Sequence, residues 1–453
     1  MLEKRRLLKP GQVLAIGFLA VAVIGALLLM LPFATVEGES ISFVDALFTS
    51  TSAVCVTGLI VVNTGVVFTL FGQLVILALI QIGGLGFMTM ASLLFMAIGK
   101  RFSLKERLII QESFNSDTLQ GLIRLVRNAV AIAFAVETVG AVLLCFSFIP
   151  DFGFSKGLFY SIFIAVSAFC NAGFDPLGMT NSIETYVKDP MVNIPIALLI
   201  IIGGLGFAVL MDMVHWRRHR HKLMLHTRIV FRMTAFLILT GAALIAIIEW
   251  NNPQTLGQEG MGTGHKIMAS LFQSVTSRTA GFDTIGQGGM TPAGKMVTML
   301  LMFVGASPAG TGGGIKTTTF FIVLLAVWSI IRKRQDYNIS KRRLGEQIIR
   351  RAFAIFTLAL ALVVFNTLLI CVSETACGNP LELDDVMYEV VSAFSTTGLS
   401  CGITPGLHTF SRLLLIFTML IGRVGPLTVS MALSGDTARK NAIHYPEDRL
   451  MVG

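Results

Sequence analysis

The sequence predicts an all-α membrane protein built from four pseudo-symmetric units, each a long helix, a short inserted helix and a second long helix. Three observations carry this. The 453 residues are 54% hydrophobic and only 13% charged, where a soluble domain has about a quarter charged. Eight apolar stretches recur, each long enough to cross about 30 Å of hydrocarbon as a helix. Four shorter semi-apolar segments, each ending at a glycine, are interleaved with them in one register. A soluble enzyme, a disordered chain and a disulfide scaffold are excluded, since the six cysteines lie in or beside apolar segments without CxxC spacing.

The long stretches are 13–34, 68–99, 129–149, 191–214, 229–250, 296–331, 352–372 and 413–433. The first follows Lys4, Arg5, Arg6 and Lys9, as a secretory signal would, but it is too long and lacks a small-residue cleavage site. Of 35 Lys and Arg, 27 fall before the first stretch, in 100–127, 217–232 and 332–351, and after 435. Helices crossing in sequence put those five regions on one side, and the positive-inside rule makes it cytoplasmic with both termini inside. The other side carries 15 Asp and Glu against six Lys and Arg. Such a mouth concentrates cations, although the topology rule by itself also leaves acids there. The expected location is the cell (cytoplasmic) membrane.

The four short segments are 41–59, 155–174, 264–282 and 384–399, aligned on Gly58, Gly173, Gly281 and Gly398. Leu59, Phe174, Phe282 and Leu399 follow the glycines, and Ser52, Ser167, Val275 and Ser392 precede them by six positions. A second set, Gly83, Gly203, Gly305 and Gly422, lies 25, 30, 24 and 24 residues downstream, and two of its copies sit in identical IGGLGF hexapeptides. The units are 1–99, 100–216, 217–335 and 336–440, with 441–453 a cytoplasmic tail. Two spans per unit give all four units one orientation, unlike inverted-repeat transporters, and four parallel units can surround one axis.

A segment of about 10–14 residues is too short to span, so it enters and turns back. Irregular backbone at that depth must be buried or line a water-filled path. An inserted helix aims the negative end of its dipole at the centre, and the glycine leaves a narrow path open and reaches positive φ. The carbonyls of Val56, Thr57 and Gly58, of Asn171, Ala172 and Gly173, of Thr279, Ala280 and Gly281, and of Thr396, Thr397 and Gly398 then replace a cation's water shell in one central ion pathway. Surface turns joining helices are the competing account, and four copies in register weigh against it.

These features resemble the Trk/Ktr/HKT superfamily of potassium transporters, most closely the membrane subunit of bacterial Ktr systems. The likeness runs from KPGQVLAIGF at 9–18 to IHYPED at 443–448 and rests on SAFSTTGL, TSRTAGF and IGRVGPLT. It implies potassium as the transported substrate, with sodium a candidate stimulatory ion and no cofactor in the chain. One filter glycine per unit implies potassium preference that is good rather than strict. It also implies a homodimer that docks a cytosolic ring of RCK-type nucleotide-binding subunits on its basic loops. Membrane lipid is the other expected partner, and nucleic acid is not expected.

The sixth stretch is interrupted by GASPAGTGGGIKTTT at 305–319, and five glycines with Pro308 cannot hold a regular helix. Lipid exposure would leave its backbone unpaired, so it faces the axis below the filter. The resemblance makes it an intramembrane loop obstructing the pore, over about 306–317. Gate residues are Ala306, Ser307, Pro308, Ala309, Gly310, Thr311, Gly312, Gly313, Gly314 and Lys316, with Arg423. A phosphate-binding loop would need glycine rather than Ile315 before Lys316, and a preceding strand. Arg423 falls in mid-span, level with Ala306 by register, and its five donors suit the carbonyls of a broken helix. A salt bridge between helices is its other reading. Glu137 is expected to stabilise helix packing, and Lys316 to line the inner vestibule or snorkel.

Rival classes lack their signatures. No HExxH-like ligands or nucleophile–base pair lie in the spans, and no span is Arg-rich as a voltage sensor is. HWRRHRHK at 215–222 is better explained by anionic lipid than by zinc.

Overall fold

The computed structural model describes residues 10–433 apart from 37, 39, 87–88, 90–121, 179–182, 220–221, 334–335 and 341. The second half of the 68–99 stretch, most of the first basic inner loop, both basic termini and the IHYPED tail lie outside the described residues.

Each unit opens with a long helix: Pro10–Leu29, Leu122–Phe152, Leu225–Glu249 and Glu346–Ala376. Among the described residues, these four are also the helices that, one by one, are long and apolar enough to cross a membrane. The inserted helices are Phe43–Cys55, Phe154–Cys170, Thr263–Thr276 and Leu383–Ser395. The first is started by Ser42, whose Oγ accepts from the Asp45 N–H at 3.2 Å. Each packs on the long helix of its own unit. In units 1 and 3 the same bond fastens them: Ser50 Oγ donates to Ala22 O and Ser274 Oγ to Ile238 O, at 2.7 and 2.8 Å. Both hydroxyls are buried, and a buried hydroxyl without a partner is costly.

The second helices correct the expectation drawn from hydropathy. The stretches 191–214 and 413–433 read as continuous, yet both are broken. Pro190–Leu205 turns by 97° into a helix starting at Phe207, and Thr409–Val424 is separated from Pro426–Leu433 by Gly425 at φ 98°. Leu70–Leu85 likewise ends at Gly86, φ 84°. In unit 3, Pro292–Phe303 and Thr317–Ile331 flank a longer non-helical loop. The break in unit 3 is the one the sequence marks with glycines and Pro308; around Gly86 and Gly206 the flanking residues stay apolar, so hydropathy alone does not register those turns. Among the described residues the all-α reading otherwise holds, apart from a short hairpin pairing Asn338–Ile339 with Arg342–Arg343.

The units close on themselves. The second helix of each unit packs on the inserted helix of the next, unit 1 on 2, 2 on 3, 3 on 4 and 4 on 1. The downstream glycines allow an approach of another kind. A Cβ at Gly83, Gly203 or Gly422 would overlap the carbonyl oxygen of Val54, Phe169 or Phe394, which belong to the inserted helix of the same unit. Bare backbone at these positions brings the two helices of a unit together where the inserted helix ends.

Candidate functional site

Each inserted helix is followed by the same turn. Val56, Asn171, Thr279 and Thr396 have φ of 58°, 60°, 70° and 53°, and Gly58, Gly173, Gly281 and Gly398 have φ of 92°, 68°, 77° and 92°. A left-handed conformation is unusual for a β-branched residue such as Val56 or Thr396. It persists because the inserted helix holds the following N–H groups. Thr57 N donates to Ser52 O at 2.8 Å, Ala172 N to Ser167 O at 2.7 Å, Ala280 N to Thr276 O at 2.9 Å and Thr397 N to Ser392 O at 2.9 Å. Gly58 N and Gly398 N donate to the hydroxyls of Ser52 and Ser392, both at 3.0 Å.

A peptide is planar and trans, so its oxygen points opposite to its N–H. The N–H groups turned back onto the inserted helices therefore send the oxygens of Val56, Thr57, Asn171, Thr279, Thr396 and Thr397 the other way. The four turns meet there. A Cβ added to Gly58 would lie 2.5 Å from Ala172 O, and one on Gly173 would lie 2.7 Å from Ala280 O. One on Gly281 would overlap Thr397 O, and one on Gly398 would overlap Thr57 O, which closes the circle. All twelve residues assigned to the pathway from sequence are thus in one ring of backbone. Asn171 and Thr279 add a 3.2 Å side-chain hydrogen bond across two units.

The interrupted segment of unit 3 lies where the inserted helices end. Gly313 N donates to Thr396 Oγ1 at 2.9 Å, and a Cβ on Gly312 would lie 2.8 Å from Thr279 Cβ. Its other partners are the ends of the broken helix in unit 2. Ser307 N donates to Gly204 O at 3.0 Å and Thr311 N to Gly203 O at 3.3 Å, while Ala309 O, at a residue with φ 56°, accepts from Phe207 N at 3.0 Å. Carbonyls and N–H groups orphaned by the 97° bend are satisfied by the loop. Pro308 O faces Gly206, and Gly310 N bonds back to Ser307 O at 3.1 Å. Ala306 O accepts from Thr317 N at 3.3 Å, and the Ser307 and Thr317 hydroxyls are 3.0 Å apart. Gly314, at φ 66°, packs against Ser395.

Arg423 joins the loop to the remaining unit. Its Nη1 donates to Thr311 O, and its Nη2 donates to Gly83 O and, at 3.5 Å, to Gly84 O. The expected contact with loop carbonyls is present, but at Thr311 rather than level with Ala306, because non-helical backbone does not keep helical rise. No carboxylate pairs with Arg423 among the described residues. The segment is thus bonded to units 2, 3 and 4 and, through Arg423, linked to unit 1. Lys316 folds its Nζ back to Gly312 O at 2.6 Å. Buried Glu137 accepts from Gln81 Nε2 at 3.1 and 3.2 Å, tying the first helix of unit 2 to the second of unit 1.

Sequence reasoning passed over several residues here. Ser52 and Ser392 were aligned by position, but their hydroxyl role at Gly58 and Gly398 was not foreseen. Arg278 sits within TSRTAGF and was not singled out. Asp283, two residues beyond Gly281, accepts from Gln287 Nε2 at 2.7 Å and Ile285 N at 3.2 Å. Burial, and then the nearby Glu184 charge, push its carboxyl up to about 8.

Comparison with known proteins agrees with this architecture. Residues 3–440 match the TrkH family, described as cation transport protein. The Ktr system potassium uptake protein B of Bacillus subtilis (strain 168) is 41% identical, over 100% of both chains. Its namesake from Vibrio alginolyticus is 38% identical over 99% of this chain and 97% of its own. The potassium/sodium uptake protein NtpJ of Enterococcus hirae is 38% identical over 99% and 98%. The crystal structure of the potassium transporter TrkH from Vibrio parahaemolyticus has the same fold, with a TM-score of 0.73 over 96% of this chain and 87% of that one, at 16% identity.

Proposed function

Since the chain belongs to the TrkH family of cation transport proteins, and is therefore a multi-pass membrane transporter and not an enzyme, we propose that it takes up potassium across the cytoplasmic membrane. The ion passes through the ring formed by residues 56–58, 171–173, 279–281 and 396–398. Carbonyl oxygens stand in for its hydration shell and, carrying no net charge, also let it go. The observation that carries this reading is the closed contact of the four turns, Gly58 to Ala172, Gly173 to Ala280, Gly281 to Thr397 and Gly398 to Thr57.

The loop 304–316 acts as the gate. Its hydrogen bonds to three units, and its link through Arg423 to the fourth, support a position in the ion's path. Bonds to orphaned carbonyls, besides the burial of Val304, Ala306 and Ile315, tie it to its neighbours. Arg423 also places a fixed positive charge below a cation path, which raises the barrier to passage. A cytosolic partner regulates the gate: the relatives are named as components of Ktr systems, and an RCK-type nucleotide-binding ring is the partner that the basic inner loops of a homodimer suit. Both termini are cytoplasmic, on the charge asymmetry of the loops.

The test is Rb⁺ uptake by the purified chain in liposomes, with and without Na⁺, and with no organic co-substrate. Accumulation that K⁺ competes away supports the reading. Uptake that requires an organic solute, or none at all from folded protein, rejects it.

A further inference from the structure

We propose that Arg278 is a second positioning residue for the gate loop, holding the end that Arg423 does not reach; this rests on the reading of the loop as the gate. The residue three positions before the ring glycine is Cys55, Cys170 and Ser395 in units 1, 2 and 4, and Arg278 in unit 3. Unit 3 is also the unit whose second helix gives way to the loop. The long cation thus occurs where the loop does, at a position that is small in the other three units.

The geometry gives the coincidence a cause. Arg278 is only 7% exposed, and no carboxylate pairs with it among the described residues. Its Nη2 donates to Gly305 O at 3.4 Å, and its Nε has no partner. Gly305 is the first residue after Val304, which caps the helix Pro292–Phe303, so its carbonyl is one that the broken helix leaves free. A buried guanidinium without a counter-charge is expensive, and it is retained where free carbonyls can receive it. A small void beside the contact is lined by Ile200, Gly204, Ile238 and Val275 together with Arg278 and Ala306. The bond at Gly305 ties the start of the loop to the end of the inserted helix of unit 3. Arg423 fastens the loop at Thr311, six residues further on.

The test uses the full chain in liposomes and reads Rb⁺ flux without any cytosolic partner. A single long hydrogen bond from a charged donor is modest, so Arg278→Gln should raise basal flux by roughly two- to fivefold. Arg278→Lys, which keeps a charged donor, should stay nearer the parent. The K⁺/Na⁺ ratio of Arg278→Gln should not change, since its target is the loop and not the ring. In a variant lacking residues 307–314, Arg278→Gln should add nothing. Monodisperse elution and an unshifted thermal midpoint establish that each variant is folded. Raised flux in the deletion with none in Arg278→Gln overturns this inference alone, as does an equal gain from Arg278→Gln with and without the loop. A folded deletion with unraised flux overturns the gate reading, and the inference with it.

Discussion

Replacing Gly398 with serine tests the ring most directly. Gly398 has φ 92°, where an L side chain is strained, and such a conformation costs roughly 1–2 kcal/mol for a residue with a Cβ. The new Cβ would overlap Thr57 O and lie 2.8 Å from Gly58 Cα, so the neighbouring turn cannot stay where it is. The Thr57 carbonyl must retreat by roughly 1 Å to reach ordinary contact distance. That oxygen belongs to the opposite end of the chain, and its retreat widens the ring on the side of unit 1. Loss of one well-placed oxygen should lower K⁺/Na⁺ discrimination about tenfold, equivalent to about 1.4 kcal/mol. The assay is Rb⁺ uptake in liposomes with K⁺ and Na⁺ as competitors. Gly264→Ser is the control, because a Cβ there meets nothing within 4 Å and its φ is ordinary. An unchanged ratio in folded Gly398→Ser would falsify the claim that these carbonyls select the ion.

Arg423→Ala removes the donors to Thr311, Gly83 and Gly84. Losing charged-donor bonds worth about 1.5–3 kcal/mol should raise basal Rb⁺ flux by one to two orders of magnitude, and a flat response would leave Arg423 with a packing role only. Removing residues 307–314 should raise flux at least as far, measured against Arg423→Ala in the same vesicles; slower flux from folded protein would show that the loop is not an obstacle. Asp283 supplies a pH dependence. Its carboxyl, held up to about 8, is neutral in the fold at low pH and ionises as pH rises through that value. Its contribution to stability is complete below the ordinary aspartate range and is lost by the time pH passes 8. The charge gained there draws cations to the mouth, so uptake at subsaturating K⁺ should climb from pH 7 to 9 in the parent and less steeply in Asp283→Asn.

Sequence alone was enough to show four units in one orientation, because two features survive in one dimension. Hydrophobic length marks the spans, and glycines at matched offsets mark the turns. Gly58, Gly173, Gly281 and Gly398 could be aligned since each must lack a Cβ beside a neighbour's carbonyl, a requirement that no other residue type meets. Arg423 and the interrupted segment at 305–319 were also legible, as polar and helix-breaking residues where lipid-facing helix would forbid them.

Partners were decided only in three dimensions. The break at Gly206 lies between apolar flanks, so hydropathy does not separate that bent helix from a straight one, and the Gly425–Pro426 pair marks a break in unit 4 without giving its partner. The bond from Arg423 to Gly83 joins residues 340 apart in sequence, and which unit faces which follows from how the second helices pack around the circle. Spacing reports what a backbone position must avoid, and it does so locally. Which carbonyl fills the space that a glycine leaves, and which donor an orphaned carbonyl finds, depends on the closure of all four units at once.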